Sequence, residues 1–284
     1  MIPSSFEYHK ANSVEEAVQL LSNGGDDAKI LAGGHSLIPT LKLRLNDPDH
    51  LIDISKIDAL KGISVSDGHL HIGAGCTHNQ IATSDAIPAG LEMFSQAGHM
   101  IGDPQVRNRG TIGGSIAHAD PAADWPGILL ASNASINMAG PNGERSVPAS
   151  DFFIALFTTA LGENEIITSV SIPVPPAGTK STYQKFVQPA SRFALVGCAA
   201  MASIADGKCS NVQVAFNGVS AAPFRDAGVE SALNGADCNA ENVASASSNA
   251  ANGKTVMQSH FASEKYRSHL AKVYAKKALS AICS

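Results

Sequence analysis

No apolar run in this 284-residue chain approaches the ~20 residues that a membrane-spanning helix needs. The opening residues Met1-Ile2-Pro3-Ser4-Ser5-Phe6-Glu7-Tyr8 have neither a basic region nor an apolar core, so they do not read as a signal peptide, and a cytoplasmic location is the expectation. Charge is sparse. Lys and Arg number 20 against 25 Asp and Glu, a net −5 with the cations dispersed, which argues against a nucleic-acid partner. The five cysteines (Cys76, Cys198, Cys209, Cys238, Cys283) are far apart and form no CxxC pair. Neither a structural zinc nor an iron–sulfur cluster follows from that spacing, and ordinary buried thiols are expected. GxGxxG and GxxxxGK(S/T) are both missing, which removes the Rossmann and P-loop readings. GxSxG is missing too. Ser36 follows His35, but sequence neighbours rarely satisfy triad geometry, so a seryl-hydrolase reading is poor.

What the chain does have is two small-residue loops. One is Ala32-Gly33-Gly34-His35-Ser36-Leu37; the other runs from Gly110-Thr111-Ile112-Gly113-Gly114-Ser115 through His118 and Asp120 to Asp124. Gly-Gly pairs allow positive φ and close approach of a ligand, and successive N–H groups in such loops can form an anion nest. On the residues alone each loop remains open between a phosphate cradle and a tight turn.

The surrounding pattern places the loops. Ser13 with Glu16 is a capping box ahead of an apolar stripe at Val14, Ala17, Val18 and Leu21. Ala28–Leu31 reads as a strand running into the first loop, 37–45 as a helix and 51–54 as a second strand. Hairpins are expected at 62–74 and 135–147, helices at 79–84 and 91–100, and a strand at 165–172. Pro173-Val174-Pro175-Pro176-Ala177-Gly178 is the best linker, and a boundary belongs there. Beyond it come strands at 182–187, 194–204 and 212–219, then a helix at 225–233. A final helix is expected to bury Tyr266, Leu270, Val273 and Tyr274.

Each polar group near the loops has a structural reading beside the functional one. His69, His71 and His78 suggest a metal site less well than a solvated strand face. Arg107 and Arg109 read equally as phosphate ligands and as loop anchors. His118, Asp120 and Asp124 suggest a metal less well than capping of a helix begun near Pro121.

Taken together, Ala32-Gly33-Gly34-His35-Ser36-Leu37-Ile38-Pro39, Gln105-Val106-Arg107-Asn108-Arg109-Gly110-Thr111-Ile112-Gly113-Gly114, Tyr183-Gln184-Lys185-Phe186, Ala190-Ser191-Arg192 and Tyr266-Arg267-Ser268-His269-Leu270 occur in an order that resembles the FAD-binding medium subunit of molybdenum hydroxylases. This is the carbon monoxide dehydrogenase and xanthine dehydrogenase family. The resemblance implies an α+β chain: a two-subdomain FAD-binding (PCMH-like) fold over 1–177, divided at about 57/58, then a C-terminal α/β domain over 178–284 with a small antiparallel sheet and helices. It implies FAD held by Leu31, Ala32, Gly33, Gly34, His35, Ser36 and Leu37 of the first loop and Thr111, Ile112, Gly113, Gly114 and Ser115 of the second. Ile101 and Ile167 would lie by the rings, Asp124 by the ribityl hydroxyls and Lys185 near the flavin. No catalytic and no metal-ligating residue is implied on this chain.

The implied partners are a large subunit carrying the molybdenum cofactor and a small subunit carrying [2Fe–2S] clusters, assembled as a dimer of heterotrimers. Electrons would pass from the clusters through FAD to an external acceptor. Ser115 stands where some relatives have Asn, and His118-Ala119-Asp120-Pro121-Ala122-Ala123-Asp124 follows the broad family pattern, so carbon monoxide, an aldehyde, a purine or another N-heterocycle all remain open as substrate. A stand-alone FAD-dependent oxidase and a non-catalytic nucleotide-binding module are the alternatives.

Overall fold

The first loop sits at the carboxyl end of a small parallel sheet, because the strand before it needs a crossover to its neighbour. In the computed structural model, which describes residues 2–284, β1 (Glu7–Lys10), α1 (Val14–Gly24), β2 (Ala28–Leu31), α2 (Leu37–Lys42) and β3 (His50–Asp53) form this unit, with strand order β1-β3-β2. Ser13 caps α1, accepting from the Glu16 N–H at 3.1 Å, while the Glu16 carboxylate accepts from the Asn12 N–H rather than completing the box on Ser13. Ala17, Val18 and Leu21 pack on Ile52, Ile54 and Ile57. Strand β1 has no counterpart among the elements expected from sequence: Glu-Tyr-His-Lys offers one apolar ring and no alternation.

The second unit builds its sheet from segments far apart in the chain. It contains β4 (Ile63–Ser66), β5 (His69–Gly73), α3 (His78–Ala82), α4 (Glu92–Met100), α5 (Pro104–Arg107), α6 (Ile112–His118), α7 (Trp125–Ala131), β6 (Ser135–Gly140), β7 (Gly143–Pro148), α8 (Ala149–Phe152), β8 (Phe153–Ala155), β9 (Thr158–Thr159) and β10 (Ile166–Pro173). The sheet order is β4-β5-β10-β6-β7, antiparallel throughout. Trp125, Phe94, Ile128, Ile136 and Val170 are buried completely between sheet and helices.

Beyond the Pro-rich connector, β11 (Thr179–Val187), β12 (Ala194–Ala205), β13 (Lys208–Asn217) and β14 (Phe224–Arg225) form an antiparallel sheet. Strand β12 is buried on both faces. Ala199 and Met201 join the core of the second unit, while Val196, Cys198, Ala200 and Ala202 face α9 (Ala227–Leu233), α10 (Ala240–Ser247) and α11 (Glu264–Ile282). That alternation follows the two-residue period of a strand.

Two expectations about this region are corrected. Cys238 and Cys283 are joined in a disulfide, which leaves Cys76, Cys198 and Cys209 as free buried thiols; the sequence separation of 45 in the bridged pair hides their approach from a spacing argument. The buried stripe of α11 is also rotated from the one expected. Tyr266 is 44% exposed and Val273 only partly buried, whereas Arg267 is 4% exposed. A charged residue normally faces outward on such a helix, yet this guanidinium donates to the carbonyls of Leu195, Gly218 and Met257 and to Ser259 Oγ. Arg267 thereby closes the ends of β12 and β13.

Replacing Arg267 with Met leaves those carbonyls unpartnered and is expected to lower the unfolding free energy by roughly 2–4 kcal/mol. Arg267→Lys should recover only part of the loss, because an ammonium cannot reproduce the fork. Urea unfolding midpoints measure this, and an unchanged Arg267→Met midpoint would contradict it.

Candidate functional site

The two Gly loops, some 80 residues apart in sequence, touch. A Cβ on Gly33 would lie 2.8 Å from Gly110 Cα and closer still to the Arg109 carbonyl oxygen. Only hydrogen at Gly33 allows the backbones to pass. Gly110 is confined in turn, since a Cβ there would stand 2.6 Å from His78 Nε2, and a Cβ on Gly113 would stand 2.6 Å from that of Ala74. Gly34 has φ +75, the left-handed region that favours glycine.

Between the loops opens a cleft of about 590 Å³. The first loop and α6 form two walls, Ile101 and Ile166–Ile167 supply apolar surface, and Ser191-Arg192-Phe193 from the C-terminal unit close the far side. That closure is bonded. The Ala194 N–H donates to Ala122 O at 3.2 Å and the Gly218 N–H to Pro121 O at 2.6 Å.

The loops differ in what they offer. In the second, the amides of Ile112 and Gly113 donate to Cys76 O and Ala74 O, Ser115 N–H donates to Thr111 O, and Gly114 N–H is capped by Thr111 Oγ1 at 3.1 Å. In the first, the amides of Gly33, Gly34, His35 and Ser36 have no acceptor among the described residues. Gly33 and Gly34 are half-buried, where N–H groups rarely stay unpartnered, while His35 and Ser36 are exposed. The free amides of the cleft are therefore those of the first loop, while the second contributes side chains and the start of α6.

In the cleft wall lies a buried polar cluster. Asp124 is 4% exposed; its carboxylate accepts from Lys185 Nζ at 2.8 Å and from the Tyr183 hydroxyl at 2.5 Å. Burial pushes the Asp124 carboxyl up, with Lys185 and Tyr183 opposing. The Tyr183 phenol is pushed well above its ordinary value by burial and by Asp124, so it remains a donor. Lys185 Nζ also reaches Met100 O at 3.3 Å. Capping of the following helix by Asp124 is corrected: it occupies the N-cap position of α7 but its side chain makes no cap bond. Asp120 does bond locally, accepting from the Ala122 N–H at 2.8 Å.

Of the residues expected at the cofactor, Ala32, Gly33, Gly34, His35, Ser36, Leu37, Ile101, Thr111, Gly113, Gly114, Ser115, Asp124 and Ile167 line the cleft. Leu31, Ile112 and Lys185 stand behind it, supporting lining neighbours. Arg107 is a loop anchor, donating to Ile101 O and Gly102 O. His69 and His71 bond to Asp67 O and Ser171 Oγ on the β5 face, and His78 lies apart from them.

His78 is a lining residue that sequence reasoning does not assign to the cleft. The Trp125 indole N–H donates to its Nδ1 at 3.0 Å, which fixes the proton of the neutral ring on Nε2. No local signal links residues 47 apart. Burial, then the charges of His35 and Lys185, lower its pKa from 6.5 to about 4.

A histidine whose folded pKa is depressed binds its proton first in the unfolded state. Stability from His78 is therefore complete above pH ~6.5 and falls as pH drops toward 4, by about 3 kcal/mol. His78→Gln should flatten that part of the profile, measured by urea unfolding from about pH 7.5 down to about pH 4. Identical slopes in parent and variant would contradict the assignment.

Comparison with known proteins identifies the family. A family described as "FAD binding domain in molybdopterin dehydrogenase" matches residues 4–175, and one described as "CO dehydrogenase flavoprotein C-terminal domain" matches residues 181–282. The carbon monoxide dehydrogenase medium chain of Hydrogenophaga pseudoflava is 43% identical over 83% of this chain and 82% of its own. The glyceraldehyde dehydrogenase medium chain of Sulfolobus acidocaldarius is 36% identical over 99% of this chain and 100% of its own. A solved structure of the Hydrogenophaga pseudoflava carbon monoxide dehydrogenase, in a form lacking the Mo-pyranopterin moiety of its molybdenum cofactor, superposes with a TM-score of 0.95 at 40% identity, covering 100% of both chains. The chain thus belongs to the FAD-binding medium subunits of the molybdenum hydroxylases, an oxidoreductase family, and carries the FAD-binding domain.

Proposed function

We propose that this chain is the electron-transfer subunit of a molybdenum hydroxylase complex, taking electrons from [2Fe–2S] clusters of a small partner subunit and passing them to an external acceptor. The observation that carries the reading is the row of unpartnered amides at Gly33–Ser36, facing a cleft whose opposite wall is α6. FAD, when bound, supplies the redox chemistry, and the protein supplies binding and orientation. A diphosphate satisfies the first-loop amides without any lysine, which suits an acidic chain.

Ser115 and Asp124 line the cleft, while Ile101 and Ile167 offer apolar surface to a ring. Tyr183 and Lys185 hold the Asp124 carboxylate in one orientation. His78 stays neutral at physiological pH and presents Nε2–H beside Gly110. None of these groups is needed as acid or base toward the substrate, which is oxidised at molybdenum in a large partner subunit.

On this reading the assembly is a dimer of heterotrimers in the cytoplasm, and among the described residues no helix is long and apolar enough to cross a membrane. The substrate is a property of the large subunit: relatives of this chain are named for carbon monoxide and for glyceraldehyde.

The test is the visible flavin absorption of the chain purified with its partners. Gly33→Val forces the loops apart and should cut bound FAD at least tenfold, with far-ultraviolet circular dichroism unchanged. Gly228→Ala, whose added Cβ meets nothing closer than 3.4 Å, should leave flavin content at the parent value. Full flavin occupancy in Gly33→Val would overturn the placement. A colourless parent, folded and with its partners present, would overturn the flavin reading itself.

A further inference from the structure

The amino end of the parallel sheet carries a side-chain group that the cleft does not use. Glu7 and His9 are two residues apart on β1 and project from one face, and the parallel register sets Glu7 opposite His50 on β3. His9 Nε2 lies 3.1 Å from His50 Nδ1. Glu7 Oε2 lies 3.8 Å from the first nitrogen and 3.6 Å from the second. Three ligand atoms about 2.0–2.1 Å from one ion, at tetrahedral angles, stand about 3.3 Å apart. The triangle here has nearly that shape and size. The two histidines are about one-third exposed and Glu7 more so, which leaves the remaining corner to water. Gly24 at the end of α1 backs the His50 ring, since a Cβ there would lie 3.2 Å from His50 Cδ2.

We propose that Glu7, His9 and His50 form a binding site for a divalent transition ion, with Zn(II) as the reference. Two imidazoles, one carboxylate and an open position make a zinc-type donor set, whereas Mg(II) and Ca(II) select oxygen ligands. Binding exchanges waters of the hydrated ion for His9 Nε2, His50 Nδ1 and Glu7 Oε2. The ring protons then reside on His9 Nδ1 and His50 Nε2, and the bond between the two rings is given up. No electron moves and no covalent bond to carbon changes. The ion clamps edge strand β1 onto β3, at the opposite end of the strands from the first Gly loop, so it acts on the sheet and not on the cofactor cleft.

The experiment is calorimetric titration of the metal-stripped full chain with ZnSO₄, repeated with CoCl₂ and read by visible absorption. One Zn(II) per chain is expected, with a rise in Tm on binding. His9→Gln and His50→Gln should each weaken binding by roughly 100-fold or more, since even outer-sphere partners are worth about 10–100-fold. Glu7→Gln is an exposed change that leaves the fold intact and should weaken binding by roughly tenfold. His260→Gln, at an exposed position elsewhere, should bind as the parent does. Co(II) should give the intense bands of a four-coordinate site in the parent and lose them in His50→Gln. Equal affinity in the parent, His9→Gln and His50→Gln, or no binding up to about 1 mM, would overturn the proposal. Flavin content should match the parent in every variant, and a parallel loss of flavin would equally contradict a site confined to the sheet.

Discussion

The whole arrangement turns on one steric constraint, the passage of the Gly33 backbone against the carbonyl of Arg109 and the Cα of Gly110. Two units with separate sheets meet there, and no side chain fits between them. From that contact follow the width of the cleft, the alignment of the first-loop amides with α6, and the confinement of His78 behind Gly110. Hydrophobic burial makes each unit, but it is non-directional and fixes no such alignment. The loop-to-loop contact does.

A second constraint secures the third wall. Asp124 ends the second loop, while Tyr183 and Lys185 belong to β11. Leaving either partner out would strand a buried carboxylate, so the ion pair enforces registry between the units more than it adds stability. The same strand sends Thr182 and the Tyr183 amide to Gln96 of α4. The backbone bonds from Ala194 and Gly218 to the second loop act in the same sense. The cleft therefore comes preorganised.

How much of this is legible in the residues depends on range. Ser13 and the alternation over 62–74 carry local signals, and the elements around them lie where expected. The two Gly loops stand out for the right local reason, yet their division of labour does not: which amides are free depends on Ala74 and Cys76, brought alongside by the second sheet. Arg267 and His78 escape a local reading because their partners lie many residues away. Edge strand β1 escapes it because pairing with β3, not propensity, makes it a strand. The family resemblance supplies what single-residue physics leaves open, namely that the fold holding both loops is an FAD-binding domain.

The central claim is that the first loop, and not the second, provides the amides that hold the cofactor's diphosphate. Hydrogen exchange of backbone amides, followed by mass spectrometry with and without FAD, addresses it directly. The peptide containing Gly33–Ser36 should exchange rapidly in the FAD-free chain and become strongly protected with FAD, while Ile112–Ser115 should be protected in both. Amides at 33–36 that exchange equally fast with saturating FAD would contradict the account.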